Sequence, residues 1–305
     1  MGLMTRLAAL CVFLVAMAAA AVAAERLDEK PRIAVVSAFP PEWVALQADL
    51  SERAEHTING RKFITGRLGG KDVVLFLSGV SMVNAAMTMQ SALDQFVIKS
   101  VIFSGIAGGV DPALNIGDVV VADQWGQYLE AVFARKTGEG YELPPFLPKD
   151  QFEGYGMIVP RSVGVARKGS EAEVTKFWFE SDPAMLEAAR KVAAKLDLED
   201  CAPQNKCLSQ PPKIIVGGNG VSGQAFVDNA EFREYVLKTF GAKVLDMESA
   251  AVAHVTFAND VPFLAVRSLS DLAGGGEGAN EMATFMALAS LNSANVVKAL
   301  LAELP

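Results

Sequence analysis

The pattern of apolar and polar residues alternates along the chain between two periods. Short runs rich in β-branched and apolar residues predict strands, and apolar residues three or four positions apart predict helices between them. The predicted strands are 32–37, 62–68, 72–77, 100–104, 118–121, 213–216, 243–246 and 263–268. The predicted helices are 41–53, 81–96, 182–196, 230–240, 248–259 and 280–301. This alternation predicts an α/β fold layered around a central sheet.

Two segments interrupt the alternation. Residues 126–180 have weak periodicity and contain several prolines and glycines. Residues 200–212 consist of loop-forming residues. Because the α/β pattern resumes after each segment, we interpret both as insertions in a single domain of residues 25–305, and not as a second domain.

The first 24 residues have the features of a secretory signal peptide. Arg6 precedes an apolar run over 7–21, and Val22-Ala23-Ala24 offers small residues before Glu25. The alternative is a membrane anchor, but the run is shorter than the roughly 20 apolar residues of a spanning helix. We therefore expect cleavage after residue 24 and a periplasmic or secreted protein.

Export would place Cys201 and Cys207 in an oxidising compartment, where we expect a local disulfide; two free thiols are the alternative.

Composition and charge exclude several kinds of protein. A hydrophobic content of 51% with 20% charged residues excludes a disordered chain. The formal net charge of −8 and the lack of a Lys/Arg run argue against nucleic acid or an anionic membrane as a partner. After the signal segment, we expect no stretch to be long and apolar enough to span a bilayer. With only two histidines and no Cys/His cluster, no metal or other cofactor is expected.

Polar residues cluster where predicted strands end. The clusters occupy 37–42, 104–109, 222–227, 246–248 and 267–271. Each alone is weak evidence, since a glycine-rich turn or an acidic residue after a strand often only connects or caps. Ligands of open α/β sheets bind beyond the carboxyl ends of strands, so together the clusters predict one binding site.

These clusters resemble a known family. Ser-Gly-Ile-Ala-Gly-Gly at 104–109, Leu-Asp-Met-Glu-Ser at 245–249 and Arg-Ser-Leu-Ser-Asp at 267–271 resemble the signatures of the purine and uridine phosphorylase superfamily. The branch they resemble most is that of the methylthioadenosine/S-adenosylhomocysteine nucleosidases. The resemblance covers most of 32–125 and 213–301, but not the insertions. It implies a three-layer α/β/α fold with a central mixed sheet, a homodimer or higher homo-oligomer, and cleavage of a purine N-glycosidic bond without a metal.

The resemblance also assigns roles to individual residues. Asp271 matches the proton donor to the base, Glu42 the residue that orients or activates water, and Arg267 an arginine beside the water. Glu248 matches the residue that holds the ribose hydroxyls. The other residues expected to contact the substrate are Met247, Phe226, Val227, Ser270 and Ile106, with Phe226 stacking on the base. The chemistry requires such a set, because the purine leaves more easily when protonated and water must attack from the opposite face.

The expected function is hydrolysis of an adenine nucleoside to free base and sugar by an exported enzyme. Phosphorolysis is the alternative. The phosphorylases that this chain resembles carry an arginine just before the Ser-Gly block, where this chain has Phe103. Glu42 in the first loop would also repel phosphate. The chain departs from the family at Ile106, where a small polar residue is common. A secreted nucleoside-binding or storage protein is a further alternative, although it would have no need for the three carboxylates.

Overall fold

The computed structural model describes residues 26–147, 152–202 and 206–305; the expected signal peptide lies outside these ranges. In chain order, the strands of the described ranges are β1 (Asp28–Ser37), β2 (Ser51–Ile58), β3 (Arg61–Leu68), β4 (Lys71–Leu77), β5 (Phe96–Gly109), β6 (Val119–Val121), β7 (Gln124–Gln127), β8 (Ala131–Phe133), β9 (Arg135–Thr137), β10 (Gly140–Glu142), β11 (Ile158–Pro160), β12 (Val163–Val165), β13 (Val174–Lys176), β14 (Trp178–Glu180), β15 (Cys201–Ala202), β16 (Lys206–Cys207), β17 (Ile214–Val216), β18 (Asn219–Ser222), β19 (Ala242–Asp246) and β20 (Phe263–Asp271). The helices of the same ranges are α1 (Pro40–Ala48), α2 (Met82–Gln95), α3 (Pro183–Ala193), α4 (Ala230–Phe240), α5 (Ser249–Ala258) and α6 (Met282–Glu303).

A mixed sheet forms the centre of the molecule. Its main path is β14-β7-β18-β19-β5-β1-β4-β3-β2, and β20 joins it by pairing with β5. The pairs β1–β5, β1–β4 and β20–β5 are parallel, whereas β19–β5 and β3–β4 are antiparallel. The predicted α/β fold with a central mixed sheet is confirmed.

Helices cover both faces of this sheet. Along β1 the side chains alternate, so Ala34 and Val36 pack into one core with α2 and α5. Ile33 and Val35 pack into a second core with α1, α3 and α6. All four of these side chains are buried. The three α/β/α layers therefore follow from strands that are apolar on both faces.

Helix ends follow the local signals in the sequence. Asp182 caps α3 by accepting from the N–H groups of Ala184 and Met185, both at 3.0 Å, and proline follows it at the first helical position. α4 ends at Gly241, whose φ of 57° is the left-handed conformation that glycine adopts without strain.

Several strands differ from the prediction, including β18, which lies between β7 and β19 in the main sheet and was not predicted. The strand expected to end at residue 104 continues to Gly109 as β5, because β20 pairs with it along residues 105–108. The helix expected to reach residue 53 ends at Ala48, and Ser51–Ile58 forms β2. β2 is an edge strand that pairs only with β3 in the main sheet, so most of its side chains face solvent and its apolar signal is weak.

The structure shows what the two irregular segments form. The ends of 126–180 belong to the main sheet, where β14 pairs with β7, which in turn pairs with β18. Between them lie the antiparallel pairs β8–β11, β9–β10 and β12–β13. In the second segment, β15 and β16 pair, and a disulfide joins Cys201 to Cys207, as predicted.

One expectation about apolar segments was wrong. α6 has 22 residues and a mean hydropathy of 1.4, so by length and composition it could cross a membrane. In this fold it packs against β20 and α1, and 56% of its most apolar window is buried inside the molecule. Its composition is that of a core helix.

Candidate active site

The polar clusters meet at one cavity of about 210 Å³ at the carboxyl ends of the strands. Eight of the nine predicted site residues line it: Glu42, Ile106, Phe226, Val227, Met247, Glu248, Ser270 and Asp271. The ninth, Arg267, is fully buried and contacts three carboxylates of the site. Most of the remaining lining is apolar and includes Phe39, Val80, Leu245 and Met282.

Glu42 lies in the first turn of α1, directly after β1. Its Oε2 accepts from the N–H groups of Ala38 (2.5 Å) and Phe39 (3.2 Å), and its Oε1 accepts from the N–H of Ile106 (2.9 Å). The side chain is buried, and burial raises the pKa of Glu42 although Arg267 and the three N–H groups favour its charged form. The bonds fix both carboxylate oxygens at the edge of the cavity.

Arg267 is the central cation of the site. Its guanidinium lies over the Phe103 ring, 4.2 Å from the ring centroid. It pairs with Asp246 at 2.8 Å, with Glu248 at 3.6 Å and with Glu42 at 3.8 Å. Three carboxylates thus surround one buried positive charge, so the group is negative overall when all of them are ionised.

Glycine at position 105 makes this arrangement possible. A Cβ there would lie 2.1 Å from Nη1 of Arg267 and 2.6 Å from Oε1 of Glu42. Any larger residue would therefore separate the arginine from the glutamate.

Glu248 is the N-cap residue of α5, just after β19. Its Oε1 accepts from the N–H of Ser81 at 2.7 Å. Burial raises the pKa of Glu248 to about 8, Arg267 opposes the rise, and the neighbouring Asp246 carboxylate adds to it. Asp246 itself accepts from Ser222 Oγ at 2.5 Å. Asp246 falls in a predicted polar cluster, but nothing in the sequence indicates that it binds Arg267.

Asp271 ends β20 in another part of the cavity wall. Its Oδ1 accepts from Ser270 Oγ at 2.9 Å, and its Oδ2 accepts from the N–H of Ala273 at 3.0 Å and from Asn280 Nδ2 at 3.3 Å. Burial raises the pKa of Asp271, and these three donors oppose the rise. The carboxyl group can therefore hold a proton at a higher pH than an exposed aspartate can.

The two carboxyl groups meet the cavity at different points of β5. Glu42 bonds to Ile106, whereas Asp271 Oδ2 lies 3.4 Å from where a Cβ of Gly108 would be. Residues two apart on a strand are about 6.6 Å apart. The two carboxyl groups therefore approach β5 at separate points, as the mechanism requires of an acid and a second carboxylate on opposite sides of a scissile bond.

The aromatic and apolar groups form the walls and the opening. Phe226 is 56% exposed and lies beside the buried Val227. Ile106 offers its backbone N–H to Glu42 and its carbonyl oxygen to Arg267 Nη1 at 3.3 Å, so its side chain adds only apolar surface. Among the described residues, no group of three or more His, Cys, Asp or Glu side chains is arranged to hold a metal ion.

Known proteins match this chain over nearly its whole length. Residues 32–302 match the family described as the Phosphorylase superfamily. A 5'-methylthioadenosine/S-adenosylhomocysteine nucleosidase of Staphylococcus aureus (strain JH9) is 29% identical over 273 residues, which are 89% of this chain and 100% of the relative.

Solved structures agree in fold. The same kind of nucleosidase from S. pneumoniae, solved with a transition-state inhibitor, is 25% identical with a TM-score of 0.66 and covers 90% of this chain and 100% of its own. A futalosine hydrolase of Helicobacter pylori has 23% identity and a TM-score of 0.66 over 90% of this chain and 98% of its own, which is a likeness of fold alone. The two nucleosidases are N-glycosyl hydrolases, the class predicted from the sequence. The match over 32–302 includes all five polar clusters, and the chain belongs to the phosphorylase superfamily.

Proposed function

We propose that the protein hydrolyses the N-glycosidic bond of an adenine nucleoside of the methylthioadenosine or S-adenosylhomocysteine type. The observation that carries this proposal is the placement of Asp271, with its raised pKa, and the Glu42–Arg267–Glu248 group at separate points of one largely apolar cavity. The nucleosidases of S. aureus and S. pneumoniae support the substrate class.

In this mechanism Asp271 donates its proton to a ring nitrogen of the purine. The bond from the anomeric carbon to the base then breaks, and its electron pair leaves with the neutral base. Positive charge develops on the sugar, and the carboxylates around Arg267 stabilise it. Glu42 takes a proton from the attacking water, and Glu248 accepts hydrogen bonds from the ribose hydroxyls.

The charges around Arg267 favour water over phosphate as the nucleophile. The guanidinium already faces Glu42, Asp246 and Glu248. A phosphate dianion would have to displace these carboxyl groups from the one buried cation, and those that are ionised would repel it strongly where water is excluded. Phosphorolysis would require this arrangement to change.

The same group argues against a storage protein. Burying carboxylates costs free energy unless they are paired, and here burial is the largest of the causes that raise the pKa values of Glu42, Glu248 and Asp271. A protein that only stores nitrogen gains nothing from that cost. Groups with strongly perturbed pKa values in a cleft are typical of active sites.

The proposal is tested with a panel of nucleosides and the purified protein. Methylthioadenosine, S-adenosylhomocysteine, adenosine, inosine and uridine are incubated separately, and the free base is measured by chromatography. Because Phe39, Val80 and Met282 make the lining apolar, a nucleoside with an apolar 5′ substituent should react fastest. Equal rates for uridine and methylthioadenosine would contradict the adenine assignment.

We also propose that the mature protein is exported and homo-oligomeric. The signal-like pattern of residues 1–24 and the disulfide support export. Exposed apolar side chains on and before α2, namely Val80 (44%), Val83 (66%) and Met87 (53%), support burial against a second copy. N-terminal sequencing of the protein from its native host should begin at Glu25, and light scattering should give at least twice the chain mass.

A further inference from the structure

Asp271 lies in the wall between two cavities of different character. In front of it is the apolar cavity described above, and behind it is a polar cavity of about 150 Å³. The polar cavity is formed by the loop between β20 and α6 and by Asp228, with Asn280 and Glu281 at its lining. Asp271 alone lines both cavities, so groups behind it can act on the acid without touching the nucleoside.

Asn280 joins three parts of the molecule through one side chain. Its Oδ1 accepts from the N–H of Met282 at 2.9 Å, at the start of α6. Its Nδ2 donates to Asp271 Oδ2 at 3.3 Å and to Asp228 Oδ1 at 3.0 Å. An amide has two N–H bonds, so it can serve both carboxylates at once.

The loop geometry keeps Asp228 and Asn280 together. The N–H of Asn229 donates to the carbonyl oxygen of Ala273 at 3.2 Å. Gly274 has a φ of +86°, and a Cβ there would lie 2.3 Å from the backbone nitrogen of Asn229. Only glycine allows the loop to pack this closely on residues 228–229, which brings Asp228 within reach of Asn280.

We propose that Asn280 is a positioning residue that orients the Asp271 carboxyl toward the base, and that the negative charge of Asp228 opposes ionisation of Asp271. The proposal rests on the hydrolytic function proposed above. When Asp271 gives its proton to the purine it becomes a carboxylate, and the Asn280 amide stabilises that charge. Asp228 destabilises the same charge and so favours the protonated acid.

Other charged and polar groups around Asp271 are few. On the loop side the lining includes Glu281, and the guanidinium of Arg233 lies behind Gly275 and donates to the carbonyl oxygen of Gly109 at 2.9 Å. On its own strand Asp271 has Ser270, and the adjacent segment of β5 is Gly108-Gly109. The Asp228 carboxylate adds to the rise in the pKa of Asp271, while Asn280 is among the donors that lower it.

The proposal predicts opposite effects of two matched variants. Asn280→Asp keeps an oxygen that accepts from the N–H of Met282 but replaces the N–H donor with a carboxylate, so the pKa of Asp271 should rise. Asp228→Asn removes the opposing charge, so that pKa should fall. Glu277→Gln is the control, because Glu277 is exposed in the same loop and does not line the polar cavity.

The experiment measures kcat and kcat/KM for methylthioadenosine from pH 5 to 10 for each protein, with thermal unfolding as the check on folding. The alkaline limb of kcat/KM reports the pKa of the free acid. In Asn280→Asp this limb should move to higher pH, and kcat should fall about 10- to 100-fold, the loss expected for one hydrogen bond to a charged group. In Asp228→Asn the limb should move to lower pH. Glu277→Gln should match the wild type.

Carboxyl ¹³C NMR titration of Asp271 in the same proteins gives the shifts without turnover. A wild type that releases no base would refute the proposed function and with it the catalytic part of this inference. An active wild type whose two variants have the same pH profile and the same Asp271 titration as Glu277→Gln would refute the inference alone. If Asn280→Asp unfolds, the pKa of Asp271 in Asp228→Asn is the deciding measurement: a lower pKa than in the wild type supports the inference, and an unchanged pKa refutes it.

Discussion

Replacing Glu42 with glutamine removes one buried negative charge and almost no volume. The carboxylate accepts three backbone N–H groups, from Ala38, Phe39 and Ile106. The amide of glutamine offers only one accepting oxygen, so its NH₂ group must face at least one of these donors. Arg267 retains Asp246 and Glu248 as partners. The variant should therefore keep its fold and lose the group that takes the proton from water.

The expected magnitudes follow from these contacts. Loss of general-base catalysis lowers a rate by about 10²–10⁴-fold. One buried N–H left without an acceptor costs about 1–3 kcal/mol. For a domain of this size, each kcal/mol lowers Tm by about 2–4 °C. We expect a fall in kcat of at least about 100-fold, with KM nearly unchanged and a loss of several degrees in Tm.

The assay compares adenine release by the wild type, Glu42→Gln and Glu52→Gln. Glu52 is an exposed glutamate near the start of β2, so its variant should match the wild type in rate and Tm. Calorimetric titration with methylthioadenosine then shows whether Glu42→Gln still binds the nucleoside. A wild-type kcat in a folded Glu42→Gln variant would refute the assignment of Glu42 to the water.

Three further changes test Asp271, Glu248 and the disulfide. Asp271→Asn should lower kcat for adenine release by about 10²–10⁴-fold while Tm is kept, and an unchanged rate would exclude Asp271 as the acid. For Glu248, whose pKa rises from 4.5 to about 8, the native state binds a proton that the unfolded state has lost, so stability should fall as pH rises through this window. Urea unfolding from pH 4.5 to 8 should show that the free energy of unfolding of the wild type falls by an amount on the order of a few kcal/mol, and that Glu248→Gln lacks most of this fall. The same dependence on pH in both proteins would contradict the raised pKa of Glu248. Replacing Cys201 and Cys207 together with serine should lower Tm modestly, since the short loop contributes less than about 3 kcal/mol, and leave adenine release intact. Quantitative alkylation of both thiols in the freshly isolated, non-reduced protein would rule out the bond.

The layers of the fold could be predicted because their signals are local. Asp182 before a proline and Gly241 after an apolar helix mark helix ends by chemistry that needs no distant partner. β2 could not be predicted, since an edge strand is held by backbone hydrogen bonds to β3 and its side chains are mostly exposed. The continuation of β5 past residue 104 depends on pairing with β20, which the residues of β5 alone do not show.

Some residues of the candidate site could be predicted from the sequence, and others could not. Motifs at strand ends led to Glu42, Glu248 and Asp271, which line one cavity in the structure. Val80 and Met282 also line it, but an apolar residue beside a helix start has the same pattern whether it faces a core or a ligand. The Asn280–Asp271 contact depends on how a loop folds back over its own strand. Its local signal in the sequence is the glycine-rich segment at 274–278.

Hydrolysis by water is tested most clearly by the sugar product that the purified protein forms from methylthioadenosine in phosphate buffer. Adenine is measured by chromatography and phosphorylated sugar by ³¹P NMR in the same samples, with a phosphate-free buffer as the comparison. We predict adenine and free methylthioribose in equal amounts, at a rate that does not depend on phosphate. Formation of the sugar 1-phosphate would contradict the assignment of water as the nucleophile, and no adenine in either buffer would contradict the proposed activity itself.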